Sequence, residues 1–182
     1  MKDSKELMSL VVEPLREMHF TGLRCVLDTV AREKRFLAFT QAPPEEEAFA
    51  FYRSIVAGGG HMSVAVLAGH VVGWCDVLPT HGQARSHVGT LGIGLIPSAR
   101  HLGIGSKLMG VTIAAAWSKG FTRIELSVRA DNKNAKALYE RLGFEAEGLM
   151  RRAFQIDGVY YDCYSMALLR DLSELAFDRE NN

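Results

Sequence analysis

Apolar and polar residues change their period several times along this chain, and each change predicts an element. Residues 7–15 form a short apolar run with polar punctuation, read as a first strand ending near Pro14. From His19 to about Lys34, Leu23, Val26, Leu27 and Val30 recur at helical spacing, which predicts an amphipathic helix. Pro43-Pro44-Glu45-Glu46-Glu47 opens a second helix to about Ala57, because proline suits a first turn and carboxylates suit the positive end of the helix dipole. Gly58-Gly59-Gly60 ends it. Residues 62–67 and 71–78 read as strands joined through Ala68-Gly69-His70, a hairpin signal. A polar loop, residues 79–87, leads to a strand at 89–96, and a helix then runs from Gly103 to about Trp117. Its buried face is Leu108, Met109, Thr112, Ile113 and Ala116. Residues 122–128 alternate Ile124, Leu126 and Val128 with Arg123, Glu125 and Ser127, the period of a strand. A short helix at 133–142 stops at Gly143, and residues 144–154 and 159–168 form a closing antiparallel pair through Asp157-Gly158.

Strand–helix–strand–helix between residues 89 and 142 demands a parallel pair with a right-handed crossover, and the flanking hairpins make the whole a mixed α/β sheet. Gly89, Gly92 and Gly94 are costly inside a strand and suggest a bulge, or a ligand lying against the backbone. The chain reads as one domain, 1–182, with its last few residues a tail.

Composition narrows the function. Lysine plus arginine equal aspartate plus glutamate at 21 each, so there is no basic excess of the kind a nucleic-acid binder carries. Met1-Lys2-Asp3-Ser4-Lys5-Glu6 is followed by no apolar leader, and no stretch approaches the length of a membrane span. Cys25, Cys75 and Cys163 are odd in number and far apart, which fits neither a disulfide framework nor a metal site and suits a reducing cytoplasm.

The candidate chemistry sits between the 89–96 strand and the helix after it. Arg100-His101-Leu102-Gly103-Ile104-Gly105 places two glycines at a helix start, where free N–H groups and the helix dipole make an anion cradle suited to phosphate or pyrophosphate. Leu108 stands where a dinucleotide fingerprint needs its third glycine, and the Gly-Lys-Ser/Thr of a P-loop is missing. What the stretch resembles is Arg/Gln-x-x-Gly-x-Gly/Ala, the pyrophosphate loop of the GNAT family of N-acetyltransferases. Some thirty residues on, Asn132-x-x-Ala135-x-x-Leu138-Tyr139-x-x-x-Gly143-Phe144 resembles that family's next motif. The resemblance spans residues 71–168 and is nearest the ribosomal-protein and amino-acid N-acetyltransferase branch, through Arg123-Ile-Glu-Leu-Ser-Val128 and Gly143-Phe-Glu-Ala-Glu-Gly148.

The resemblance implies a GNAT-type fold, a mostly antiparallel mixed sheet whose central parallel strands splay apart, with flanking helices and a cofactor-binding core at about 88–144. It implies acetyl-CoA as co-substrate, a small-molecule primary amine as acceptor and a homodimer. Pantetheine would fill the splay like a short strand on the backbones of Leu95 and Ile96. His101, Leu102, Gly103, Ile104, Gly105 and Ser106 would hold pyrophosphate with added charge from Arg100, and Asn132 and Ala135 would meet the cofactor arm. Asn132 also suits a helix N-cap. Tyr139 would protonate the departing sulfur, a thiol of pKa ~8.5 served by a phenol near ~10.

A general base is harder to name, since residues 88–96 contain no carboxylate. An α-amine near ~7.7–8.0 already has a useful neutral fraction, so it needs a weaker base than a lysine near ~10.4. Glu33, Glu125 and Asp76 are the candidates. For the acceptor, Glu33, Arg85 and His87 are the expected contacts, with Arg85 anchoring a carboxylate, and Arg151 or Arg152 as substitutes. Two other readings remain open here: acetylation of a protein N-terminus, and a non-catalytic sensor of CoA.

Overall fold

The breaks in hydrophobic period fall within one or two residues of element boundaries in the computed structural model, which describes residues 10–171. The start expected for the first strand, at Leu7, lies outside the described residues. In chain order the elements are β1 Val11–Pro14, α1 Phe20–Arg32, α2 Glu45–Val56, β2 His61–Leu67, β3 His70–Pro79 and β4 Val88–Leu95. There follow α3 Ile104–Ser118, β5 Arg123–Arg129, α4 Lys133–Arg141, β6 Glu145–Ile156 and β7 Val159–Leu169. The seven strands form one sheet in the order β1-β2-β3-β4-β5-β7-β6. Every neighbouring pair is antiparallel except β4 and β5, as the crossover through α3 requires.

Helices cover both faces of the sheet, so there are two cores. On one face Leu108, Met109, Ile113 and Ala116 of α3 pack with Cys75, Val77, Leu91, Ile124 and Leu126. On the other, Leu23, Val26 and Val30 of α1 and Tyr52 and Ile55 of α2 pack with Met62, Val64 and Trp74. The alternation of β3 explains the division: Cys75 and Val77 face α3, while Trp74 lies under α1 and α2. No described helix is both long and apolar enough to cross a membrane.

Of the two causes expected for the glycines of β4, a bulge and a ligand against the backbone, the bulge is absent. The register of β4 with β3 is continuous from Gly73↔Leu95 to Pro79↔Gly89. A Cβ at Gly94 would stand 2.3 Å from the Trp74 ring, one at Gly89 2.4 Å from Val77 Cγ1, and one at Gly92 3.0 Å from Asp76 Oδ1. The glycines therefore make room for side chains of β3 that lean across β4.

The sheet opens at its centre. β4 and β5 pair only at Val88↔Arg123, Gly89↔Ile124 and Thr90↔Glu125, although β4 continues to Leu95 and β5 to Arg129. Each is held by its outer neighbour beyond that point, β4 by β3 as far as Leu95 and β5 by β7 as far as Arg129↔Cys163. The two inner edges thus part while the outer ladders stay closed.

At the far edge β6 slips twice against β7, between Ala146 and Gly148 and between Met150 and Phe154. In the second slip Arg152 takes φ 55°, and its N–H donates to Asp162 Oδ1 at 2.8 Å. Such bulges bend a strand. The tip of the bent hairpin reaches the end of α1, where Lys34 Nζ donates to both oxygens of Asp157 at 2.9 and 3.0 Å.

Candidate functional site

The parted strands form the floor of a cleft of about 610 Å3. Ile93, Gly94 and Leu95 of β4 line one side, Ser127, Val128 and Arg129 of β5 the other, and Ala135, Leu138 and Tyr139 of α4 close the end. Backbone alternation decides which groups face the gap. Ile96 N–H donates to Val72 O at 3.0 Å, so Ile96 is turned toward β3 and Leu95, one residue earlier, turns its N–H and carbonyl toward the gap. Of the two backbones expected to meet pantetheine, Leu95 offers its N–H while its carbonyl accepts from Arg100, and the N–H of Ile96 is already used within the sheet.

The start of α3 borders the same cleft. Gly103 caps the helix at φ 78°, a left-handed conformation that favours glycine, and no side chain caps the first turn. Lys107 N–H is the first to bond back, to Gly103 O at 3.2 Å, which leaves the N–H groups of Ile104, Gly105 and Ser106 as donors for a ligand. Gly105 and Ser106 line the cleft, whereas the Ile104 side chain is buried in the core and Leu102 is exposed outside it. Around this anion cradle the cleft carries Arg35, Arg100, His101, Arg129, Lys133 and Arg141 against one carboxylate, Asp131. Asp131 is held by Arg129, while Lys133 and Arg141 form no ion pair among the described residues.

An opened parallel pair, a free helix N-terminus at its mouth and an excess of cations fit a thin ligand with amides at one end and phosphates at the other. Residues 24–144 match the acetyltransferase (GNAT) family. The chain belongs to that family. It is an N-acetyltransferase, with acetyl-CoA as its co-substrate. Among relatives, it is 35% identical to the L-amino acid N-acetyltransferase AaaT of Escherichia coli over 59% of this chain and 67% of that one. It is 31% identical to the N-alpha-acetyltransferase RimI of Mycobacterium tuberculosis, over 64% of this chain and 71% of the relative. A GNAT-superfamily phosphinothricin acetyltransferase from Sinorhizobium meliloti, solved in complex with acetyl-CoA, superposes with a TM-score of 0.83 over 90% of this chain and 89% of its own. At 21% identity that last likeness concerns the fold alone.

In this GNAT chain α4 supplies two of the expected site residues on one face. Asn132 caps the helix, its Oδ1 accepting from Ala135 N–H at 3.2 Å, and its side-chain amide also borders the cleft. Tyr139, two turns along, lines the cleft at 8% exposure beside the Phe144 ring. Burial pushes its phenol above the ordinary range, and the nearby Cys75 thiol acts in the same direction. It therefore stays protonated throughout the physiological range and is available to donate to a sulfur, with less drive toward complete proton transfer than an ordinary phenol has.

Arg100 does something the sequence did not suggest. Its Nε and Nη2 donate to Leu95 O at 2.9 and 2.8 Å, Nη1 donates to Glu33 at 2.9 Å, and Nη2 pairs with the other Glu33 oxygen. The guanidinium also lies 4.8 Å from the centre of the Phe36 ring. It is thus a brace that ties the end of β4 to the end of α1, with little of its charge left over for pyrophosphate. Glu33, expected as a base, is the other half of that brace.

The structure does not bring Glu125, Arg85 and His87 into the cleft either. Arg85 pairs with Glu125 at 2.6 Å, and Glu125 is shared with Arg123 at 3.4 Å, at the end where β4 and β5 are still joined. His87 contributes its carbonyl, which accepts from Thr122 and Arg123 N–H. Arg152 lies exposed over Tyr160. Three groups that sequence reasoning passed over do matter: Arg35 and Phe36 line the cleft, and the Lys34–Asp157 pair joins the end of α1 to the tip of the β6–β7 hairpin. They belong to an irregular loop and a hairpin tip, where hydrophobic periodicity carries no signal. Asp76, the third candidate base, is 8% exposed and receives Trp74 Nε1–H on Oδ1 at 3.0 Å.

Proposed function

We propose that this acetyltransferase acetylates the primary amine of a small molecule, an amino acid or a close relative of one, by direct transfer in a ternary complex. The observation that carries the substrate size is the Lys34–Asp157 ion pair, with both contacts within 3.0 Å. It ties the tip of the β6–β7 hairpin to the end of α1, across the face of β4 and β5 on which α1 and α2 lie. A hairpin tip fastened to α1 in this way restricts entry from that face, which favours a small molecule over a protein terminus. The naming of one relative as an L-amino acid N-acetyltransferase supports the same choice.

In the reaction the amine nitrogen attacks the thioester carbonyl, the Leu95 N–H stabilises the oxyanion, and Tyr139 donates to the sulfur as the C–S bond breaks. Residues His101 to Ser106 hold the pyrophosphate, and Asn132 and Ala135 border the pantetheine arm. The proposal includes a cytoplasmic location, which suits three unpaired cysteines, and a homodimer, which suits the exposed Leu149 and Met150 of the outer strand β6.

Thiol release from acetyl-CoA, screened against amino acids, polyamines, aminoglycosides and short peptides, tests this reading. The expected result is turnover with amino acids or other small amines, and a fall of about a hundredfold or more in kcat for Tyr139→Phe with acetyl-CoA affinity unchanged. Turnover confined to peptides would replace the acceptor with a protein N-terminus. Acetyl-CoA binding without turnover on any amine would replace the enzyme with a sensor.

A further inference from the structure

A carboxylate buried in a protein normally has an arginine or lysine to answer it. Asp76 has none: among the described residues it forms no ion pair, and its one hydrogen bond comes from Trp74 Nε1–H to Oδ1. It points across β4 at Gly92, where an added Cβ would lie 3.0 Å from Oδ1 and 3.3 Å from Oδ2. Asp76 Oδ1 and Oδ2 thus occupy the space that a side chain of β4 would fill, on the strand that itself carries no acid. Asp76 and Gly92 lie just behind the cleft and do not line it; Gly94, next on that face of β4, does, as does Val30 of α1.

A second observation points to a ligand here. Tyr52 of α2 is 3% exposed, and its hydroxyl is buried with no hydrogen-bond partner. It is close enough to Asp76 for the two to influence each other electrostatically. A carboxylate without a cation beside a phenol without a partner suits a group that brings both positive charge and N–H donors, and a primary ammonium is such a group.

We propose that Asp76 receives the acceptor's ammonium over Gly92 and takes the proton released as its nitrogen attacks acetyl-CoA. This rests on the reading of the chain as an amine acetyltransferase. Desolvation raises the Asp76 carboxyl to about 7, partly offset by the Trp74 hydrogen bond, which brings it near the ~7.7–8.0 of an α-amine. The Asp76 carboxylate in turn pushes up the Tyr52 phenol of α2 and the Cys75 thiol on its own strand. β2 sets Met62 opposite it and β4 sets Gly92, while Arg24 and Cys25 of α1 act on Tyr52. The proton account closes. The ammonium first loses one proton to solvent, the attacking amine passes a second to Asp76 as the C–N bond forms, and Tyr139 donates to sulfur as the C–S bond breaks. Solvent then returns the Asp76 proton to Tyr139.

Asp76→Asn tests the assignment in the full chain. With wild-type turnover on any small amine, the variant should lose about a hundredfold or more in kcat/KM for that amine and keep its acetyl-CoA affinity. The wild-type kcat/KM should fall below about pH 7 with two ionisations, those of the substrate ammonium and of Asp76, and the variant should keep only the substrate's. A profile in Asp76→Asn as steep below about pH 7 as that of wild type, or kcat/KM within a few-fold of wild type, would overturn the proposal. A second readout needs no turnover: carboxyl-carbon NMR of aspartate-labelled protein with CoA bound, where the Asp76 signal is the one absent from Asp76→Asn. It should titrate near 7 and shift when L-alaninamide is added, but not with N-acetyl-L-alaninamide. An ordinary carboxylate titration near ~4, or no response to the amine, would overturn the proposal even in an active enzyme. A response to the amine in a protein that never turns over would sustain the amine site and remove the enzymatic reading instead.

Discussion

A carboxylate with one hydrogen-bond donor and no cation costs free energy to ionise, so Asp76 couples the fold to pH. The folded chain holds its proton up to about 7, whereas the unfolded chain releases it near ~3.9. Its contribution to stability is therefore greatest below ~4, declines as the pH rises through that window, and is lost above about 7. Asp76→Asn should remove the decline, leaving the variant more stable than wild type at about pH 8 by roughly 4 kcal/mol, with the difference narrowing toward about pH 4. Urea denaturation across that range reads it. Tyr139 behaves oppositely in one respect: pushed upward, it adds no titration at working pH. Single residues were legible in the sequence where their partners are local. Asn132 caps a helix three residues away, and Gly103 turns the chain beside itself. The brace made by Arg100 was not legible because its carboxylate partner, Glu33, lies 67 residues earlier.

Strands and helices announced themselves because burial on one face imposes a period of two or 3.6 residues, and no distant partner need be known to see it. The glycines of β4 show where that reasoning stops. Their cause is the pair of large side chains on the neighbouring strand, and pairing register is set by the whole sheet. The sequence already held the signal, since Trp74 and Asp76 alternate as Gly94 and Gly92 do, but only the register Trp74↔Gly94 and Asp76↔Gly92 joins them. Gly94→Ala should therefore destabilise the protein by about 1–3 kcal/mol, because its Cβ would meet a rigid indole at 2.3 Å. Thermal denaturation of the variant, alone and combined with Trp74→Phe, checks this. Partial recovery in the double variant would identify the indole as the obstacle.

At the scale of the whole molecule, the end of α1 and the tip of the β6–β7 hairpin are joined by a contact between residues 123 apart in sequence, which the proposed function places beside the acceptor. The side chains of Lys34 and Asp157 are 46% and 70% exposed, so the pair adds little to stability. Its effect belongs to access. Asp157→Ala should raise KM for a small amine a few-fold, leave acetyl-CoA affinity and melting temperature nearly unchanged, and improve relative turnover of short peptides. A comparison of kcat/KM for an amino acid and a peptide in both proteins measures it. The opened centre of the sheet has a further consequence. Two rows of unpaired backbone groups facing each other are an invitation to any stray polypeptide strand, the same hazard that an exposed sheet edge presents. Here Phe36 on one side and Ala135 and Tyr139 on the other flank those rows. A linear arm without side chains can thread between them, and a β-strand carrying alternate side chains meets the walls. The loop after α1 and the helix α4 thus shield the sheet's open centre from a strand while they leave room for the cofactor.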